Sequence, residues 1–106
     1  MEEDPTIQEL LARLGDTPDE VARNLEARGC KGPPQNDCFC PVAQYLSRST
    51  GKAASATDHV CVLGEFSFDA AGNIDTFIGK EWGRTPKAVG EAIDAYDNGE
   101  YAYLRG

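Results

Sequence analysis

The chain has 106 residues, a formal net charge of −8, a pI near 4.5, and four Cys against a single His. Those totals fit one small globular domain over residues 1–106, and 41% hydrophobic residues is too apolar for a disordered acidic tail. No apolar run approaches the roughly 20 residues that span a bilayer, the start Met1-Glu2-Glu3-Asp4 is acidic where a secretory leader is basic, and an acidic chain lacks the clustered Lys and Arg of nonspecific nucleic-acid binding. The expectation is a cytoplasmic protein that binds neither membrane nor nucleic acid in that way.

Asp4-Pro5 signals the first helix, with Thr6 and Glu9 as an alternative capping box, and Ile7, Leu10, Leu11 and Leu14 follow at i, i+3, i+4 and i+7. Gly15 ends it. Thr17-Pro18-Asp19-Glu20 starts a second helix: a Thr cap, Pro at the first helical position, and Glu three residues after the cap. Its apolar face is Val21, Ala22 and Leu25, and Gly29 stops it. The two helices would form a hairpin joined at Gly15-Asp16. As a DNA-reading pair they are unsuited, because Arg23 and Arg28 face Asp19, Glu20 and Glu26.

Cys30 to Cys40 reads as a loop, since Gly32-Pro33-Pro34 excludes helix and strand. A third helix begins at Pro41 and carries Val42, Tyr45 and Leu46 to about Ser49; the small, polar stretch from Ser49 to Thr57 reads as a mobile connector. His59 to Trp82 is a β-hairpin, its turn Asp69-Ala70-Ala71-Gly72 placing Gly in the left-handed position of a bulged turn. A uniform register from that turn opposes Phe68 to Ile74, Cys61 to Glu81 and Val60 to Trp82. It predicts a core face of Val60, Val62, Phe66, Phe68, Ile74, Ile78 and Trp82, and a mostly polar face holding His59, Cys61, Leu63, Phe77 and Glu81. The last helix begins at Thr85-Pro86 and presents Val89, Ala92, Ile93 and Tyr96, with Asn98-Gly99 as its stop. The expected class is α+β: an N-terminal helix pair, a short Cys-flanked helix, a two-stranded hairpin and a C-terminal helix packed on the hairpin. A lone two-stranded sheet is marginal, so helices must cover it or a partner chain, a second copy included, must extend it.

Three stretches carry a resemblance. Thr17-Pro18-Asp19-Glu20-Val21-Ala22-Arg23, Cys38-Phe39-Cys40-Pro41-Val42-Ala43-Gln44-Tyr45-Leu46, and Pro86-Lys87-Ala88-Val89 leading to Ala95-Tyr96-Asp97-Asn98-Gly99-Glu100-Tyr101 together cover about half of the chain. They resemble small actinobacterial and actinophage proteins with a Cys-Pro-aliphatic-Ala-x-Tyr-Leu helix and an aromatic-Asp-x-Gly-Glu-Tyr tail. The resemblance implies a genomic setting, a high-GC bacterium or its phage, and brings with it no activity or site residue.

The charge is unevenly spread. Residues 1–26 hold eight acids against Arg13 and Arg23, whereas residues 27–57 have only Asp37 against Arg28, Lys31, Arg48 and Lys52. Three of the four Cys fall in that one basic segment. Cys38, Cys40, His59 and Cys61 have the residue types of a structural zinc site, with Cys30 spare, although Cys-x-Cys and His-x-Cys lack the two-residue gap of a zinc knuckle. Cys40, at a helix start in a basic segment, is also a candidate nucleophile with His59 as base. That order resembles papain-like and transglutaminase-like cores faintly. In the uniform register Glu81 is the near carboxylate able to orient His59, while Asp75 lies roughly 26 Å away along the strand. In the third reading the Cys are reduced and buried, no cofactor is expected, and a Cys30–Cys38 disulfide would require export.

For function, the favoured expectation is a small acidic interaction module, a phage or host regulator that binds a protein partner. Glu2, Glu3, Asp4 and Glu9 would face a basic partner, and Tyr101 and Tyr103 would serve as anchors. The alternative, favoured for the acids, is that they form a solvated first turn that complements the helix dipole; the tyrosines would equally cover the core.

Overall fold

The computed structural model describes residues 1–105. Its elements run β1 (Glu2–Glu3), α1 (Pro5–Ala12), α2 (Pro18–Ala27), α3 (Pro41–Thr50), β2 (Ala53–Ala56), β3 (Val60–Phe68), β4 (Ile74–Arg84) and α4 (Lys87–Asp97), closing in a 3₁₀ turn at Ala102–Leu104. The class is α+β. The sheet, however, has four strands rather than two, in the order β1-β4-β3-β2.

The helices begin where side chains can satisfy their orphan N–H groups. Asp4 Oδ1 accepts from the Thr6 N–H at 2.9 Å, and Thr17 Oγ1 accepts from the Glu20 N–H at 3.2 Å while donating to Glu20 Oε1 at the same distance. At α3 the cap is a thiol: Cys40 Sγ accepts from the Ala43 N–H at 3.5 Å. Gly51 ends α3 in the left-handed conformation at φ +74°. Thr85, expected to start the last helix, turns its hydroxyl to the Thr57 carbonyl at 2.8 Å instead, and α4 has no side-chain cap.

Both extra strands come from segments without a strand-like pattern. The expected connector contains β2, which pairs antiparallel with β3 from Ala53–Gly64 to Ala56–Cys61. Ala54 and Ala56 are buried, so small side chains supply its inner face and let α3 pack closely on it. Glu2 and Glu3 form β1, parallel to β4 opposite Glu81 and Trp82, and the Asp4 N–H extends the pairing to the Trp82 carbonyl at 2.7 Å. α1 and α2 do not form the expected helical hairpin; α1 packs mainly on β4 and α3, and α2 on α4, α3 and the 3₁₀ turn. The C-terminal helix is thus placed on α2, not on the hairpin.

The expected core face of the hairpin is reversed. β3 buries Cys61 and Leu63, while Val60, Val62, Phe66 and Trp82 are half-buried and Phe68, Ile74 and Ile78 are exposed. The turn forms as its residues dictate, with Gly72 at φ +85° and the Asp69 N–H bonded to the Asn73 carbonyl at 2.9 Å. Beyond it the register slips at Ser67/Phe68 and again at Leu63/Gly64, so Glu81 opposes Leu63, Gly83 opposes Cys61 and Arg84 opposes Val60. Gly64 makes the second slip feasible, because a Cβ there would fall 1.9 Å from the Ile78 carbonyl oxygen.

Gly83 seats α1. A methyl at that position would lie 2.7 Å from Ile7 Cβ and 3.2 Å from the Asp4 carbonyl oxygen, and Ile7 is fully buried. Gly83→Ala is expected to destabilise the protein by roughly 1–3 kcal/mol through overpacking, read as a lower urea midpoint at unchanged slope.

Candidate functional site

The four Cys are all free thiols, and burial separates them. Cys40 caps α3 with 4% of its surface exposed, above a void of only about 10 Å³ lined by Leu25, Val42, Ile93, Tyr96 and Leu104 among others. That space holds one water-sized particle and no substrate. Burial pushes the Cys40 thiol up to about 11, outweighing the hydrogen bonds from the Ala43 and Val42 backbone that pull the other way. Cys61 is fully buried with its Sγ 3.2 Å from Thr85 Oγ1, and its thiol is likewise pushed up to about 11. Cys30 lies beneath Arg48, its thiol raised by burial against the opposing pull of Arg48 and Arg28. Cys38 is half-buried at a cleft of about 70 Å³, and its thiol is raised by desolvation and by Asp37.

His59 precedes β3, and its ring is 89% exposed, 3.4 Å from the Asp58 carboxylate. Its backbone carbonyl accepts from the Thr85 N–H at 3.1 Å, which places Glu81 four residues down the neighbouring strand, roughly 13 Å away at the usual rise. Contrary to the expectation from the uniform register, Glu81 therefore does not orient His59. It takes an ion pair from Lys52 at 2.5 Å instead. Cys40 in the core, His59 in solvent and Glu81 on Lys52 form no catalytic constellation. Nor does the set Cys38, Cys40, His59 and Cys61 converge: among the described residues no group of three or more His, Cys, Asp or Glu is arranged to hold a metal ion.

The N-terminal acids divide by role. Glu2 and Glu3 are exposed on the edge strand and Glu9 is exposed on α1, whereas Asp4 is committed to its helix cap. Hydrogen bonding to Glu81, and then to Thr6, holds the Asp4 carboxyl below its usual value. Of the two tyrosines, Tyr101 donates its hydroxyl to Asp19 Oδ1 at 2.7 Å and rests against the core, so burial and that carboxylate push it up to about 12. Tyr103 stands 6.1 Å from it, edge to face, and is exposed.

One exposed apolar surface consists of residues that the sequence pattern assigns to the core. β2 reaches β3 only as far as Gly64 and β1 reaches β4 only at Glu81 and Trp82, so from Glu65 to Ile78 the two strands pair only with each other. Phe68, Ile74 and Ile78 stand on this arm with 62%, 48% and 39% of their surface exposed. At its root Phe39 stacks on Phe66 at 5.9 Å and Phe66 meets Phe77 edge-on at 5.7 Å, bracing the arm on the Cys loop. Residues 65–81 carry four acids against Lys80. Asp69 is spent on the turn, accepting from Ala71 and Asn73, and Glu65 pairs with Lys80 at 3.8 Å. Among the described residues no helix is long and apolar enough to cross a membrane.

Comparison with family models, with curated proteins and with solved structures finds no match to this chain.

The thiols set a pH dependence. A thiol whose folded value is raised from 9 to about 11 stays protonated in the native state while the unfolded chain ionises. Its stabilisation is therefore complete below pH 9 and is lost as pH rises through 11, by on the order of 3 kcal/mol for each of Cys40 and Cys61. Denaturation with urea from pH 8 to 11 is expected to show falling stability, with a shallower fall in Cys61→Ala. At neutral pH, iodoacetamide is expected to label Cys38 first and to reach Cys40 and Cys61 only on unfolding, as read by mass spectrometry.

Proposed function

We propose that the protein is a small acidic interaction module whose hairpin arm docks on a protein partner, in the setting of an actinobacterium or its phage as regulator or inhibitor. The observation that carries this reading is the exposure of the opposed pair Phe68 and Ile74 on a two-stranded arm with open edges, with Ile78 exposed on the arm's other face. Such a surface is an aggregation liability in a monomer unless something covers it. The occupant is a protein with an apolar strip bordered by basic residues, because Asp75 and the turn acid Asp69 border the arm and the chain as a whole is at −8. A second copy would bring like charge to like charge. Glu2, Glu3, Glu9 and Tyr103 remain free to enlarge the contact, while Asp4 and Tyr101 are engaged within the fold.

Phe68→Ser with Ile74→Ser tests the reading with little risk to the fold, since both side chains already face water. In an affinity capture from an actinobacterial lysate, one salt-sensitive protein is expected on the native chain, its retention falling about tenfold or more on the double variant. A captured protein indifferent to the double variant, or no captured protein, overturns the assignment.

A further inference from the structure

The basic segment forms a feature of its own, away from the arm. Arg28 is the C-terminal cap of α2 and Arg48 lies in the last turn of α3, and both side chains line one open cleft of about 390 Å³ with Cys30, Tyr45 and Ser49. A single cation at each helix C-terminus is explained by the helix dipole. Two lining one cleft without a carboxylate are not explained by it. The chain has 18 acids, yet among the described residues none lies within 4.0 Å of either guanidinium, whereas Lys52 and Lys80 each have a carboxylate partner.

Each guanidinium is also fixed in place by a group that leaves its charge intact. Arg28 lies over the Tyr45 ring, 5.4 Å from its centroid, and Tyr45 is itself anchored by its hydroxyl to the Leu10 carbonyl at 2.6 Å. Arg48 Nη1 donates to the Arg28 carbonyl at 3.1 Å and to Cys30 Sγ at 4.0 Å, leaving its Nε and Nη2 N–H groups for the cleft. Ser49 adds a hydroxyl on the same wall. Held, unneutralised and lining one cleft, the two forks suit a compact dianion whose oxygens accept from both.

We propose that the Arg28–Arg48 cleft is a binding site for a phosphate group, free or as the monoester of a small molecule. The site lies on α2 and α3 and does not depend on the hairpin arm having a partner.

Calorimetric titration of the native chain with inorganic phosphate at low ionic strength is the direct test, with glycerol 1-phosphate and malonate as companion probes. Saturable one-to-one binding is expected, about tenfold weaker in Arg28→Gln and in Arg48→Gln and unchanged in Arg13→Gln. Arg28→Gln removes an exposed side chain without taking a donor from the backbone, so it reads binding with the fold intact; circular dichroism verifies this for each variant. Glycerol 1-phosphate binding as tightly as phosphate assigns the cleft to monoesters, and much weaker binding assigns it to the free ion. No saturable binding, an equal loss in Arg13→Gln, undiminished binding in Arg28→Gln, or malonate binding as tightly as phosphate overturns the proposal.

Discussion

The double slip in the β3–β4 pairing is the constraint on which the rest of the structure depends. One slip alone would turn one strand's face over relative to its partner; two restore the faces but displace the partners by two residues. Gly83 therefore meets Cys61, and the missing side chain there is the space into which Ile7 and α1 settle. Glu81 is carried to Leu63, where Lys52 reaches its carboxylate, and β1 pairs with that same stretch, the Asp4 N–H extending the pairing to the Trp82 carbonyl. Without the slip at Gly64, β1, α1 and the Lys52 ion pair would lose the places they now occupy.

The elements legible in the sequence were those with local chemistry. Asp4-Pro5, Thr17-Pro18 and Asn98-Gly99 bound their helices, and Asp69 to Gly72 make their turn, because caps and turns are decided within four or five residues. Burial is not local. Counting apolar residues favours Val60, Val62, Phe66 and Phe68 over Cys61 and Leu63, but helices cover the second set, because the Ala-rich β2 lets α3 approach that side closely. The signal for the altered register was present as Gly64 and Gly79, opposed in the middle of strands, where glycine marks a bulge. β1 had no comparable signal, since two exposed glutamates acquire strand geometry only from the parallel partner that α1 brings beside them.

The same contrast decides the chemistry of Cys40. Position at a helix start does favour a thiolate, by about 0.3–1 kcal/mol, and that much is readable from Cys-Pro. Removal from water, which raises the thiol to about 11, is worth on the order of 3 kcal/mol in the opposite direction. Burial wins, and the thiol becomes a cap and a core atom. The basic segment that suggested reactive thiols has its charged ends elsewhere, over Cys30 and Tyr45, where Arg28 and Arg48 stand without carboxylates.

Net charge and local charge act at different ranges here. The Debye length is about 8 Å at physiological ionic strength, so a protein partner approaching from further off meets a screened field, and the −8 acts on it mainly at close range. An anion in the proposed cleft site would meet guanidiniums from its walls and be largely screened from acids beyond that distance. An acidic protein can therefore hold an anion, provided the cations are fixed on one cleft and its own carboxylates are kept out of contact with them. The stacking of Arg28 on Tyr45 and the tie of Arg48 to the Arg28 carbonyl meet that condition, and both depend on α2 and α3 meeting at their C-terminal ends.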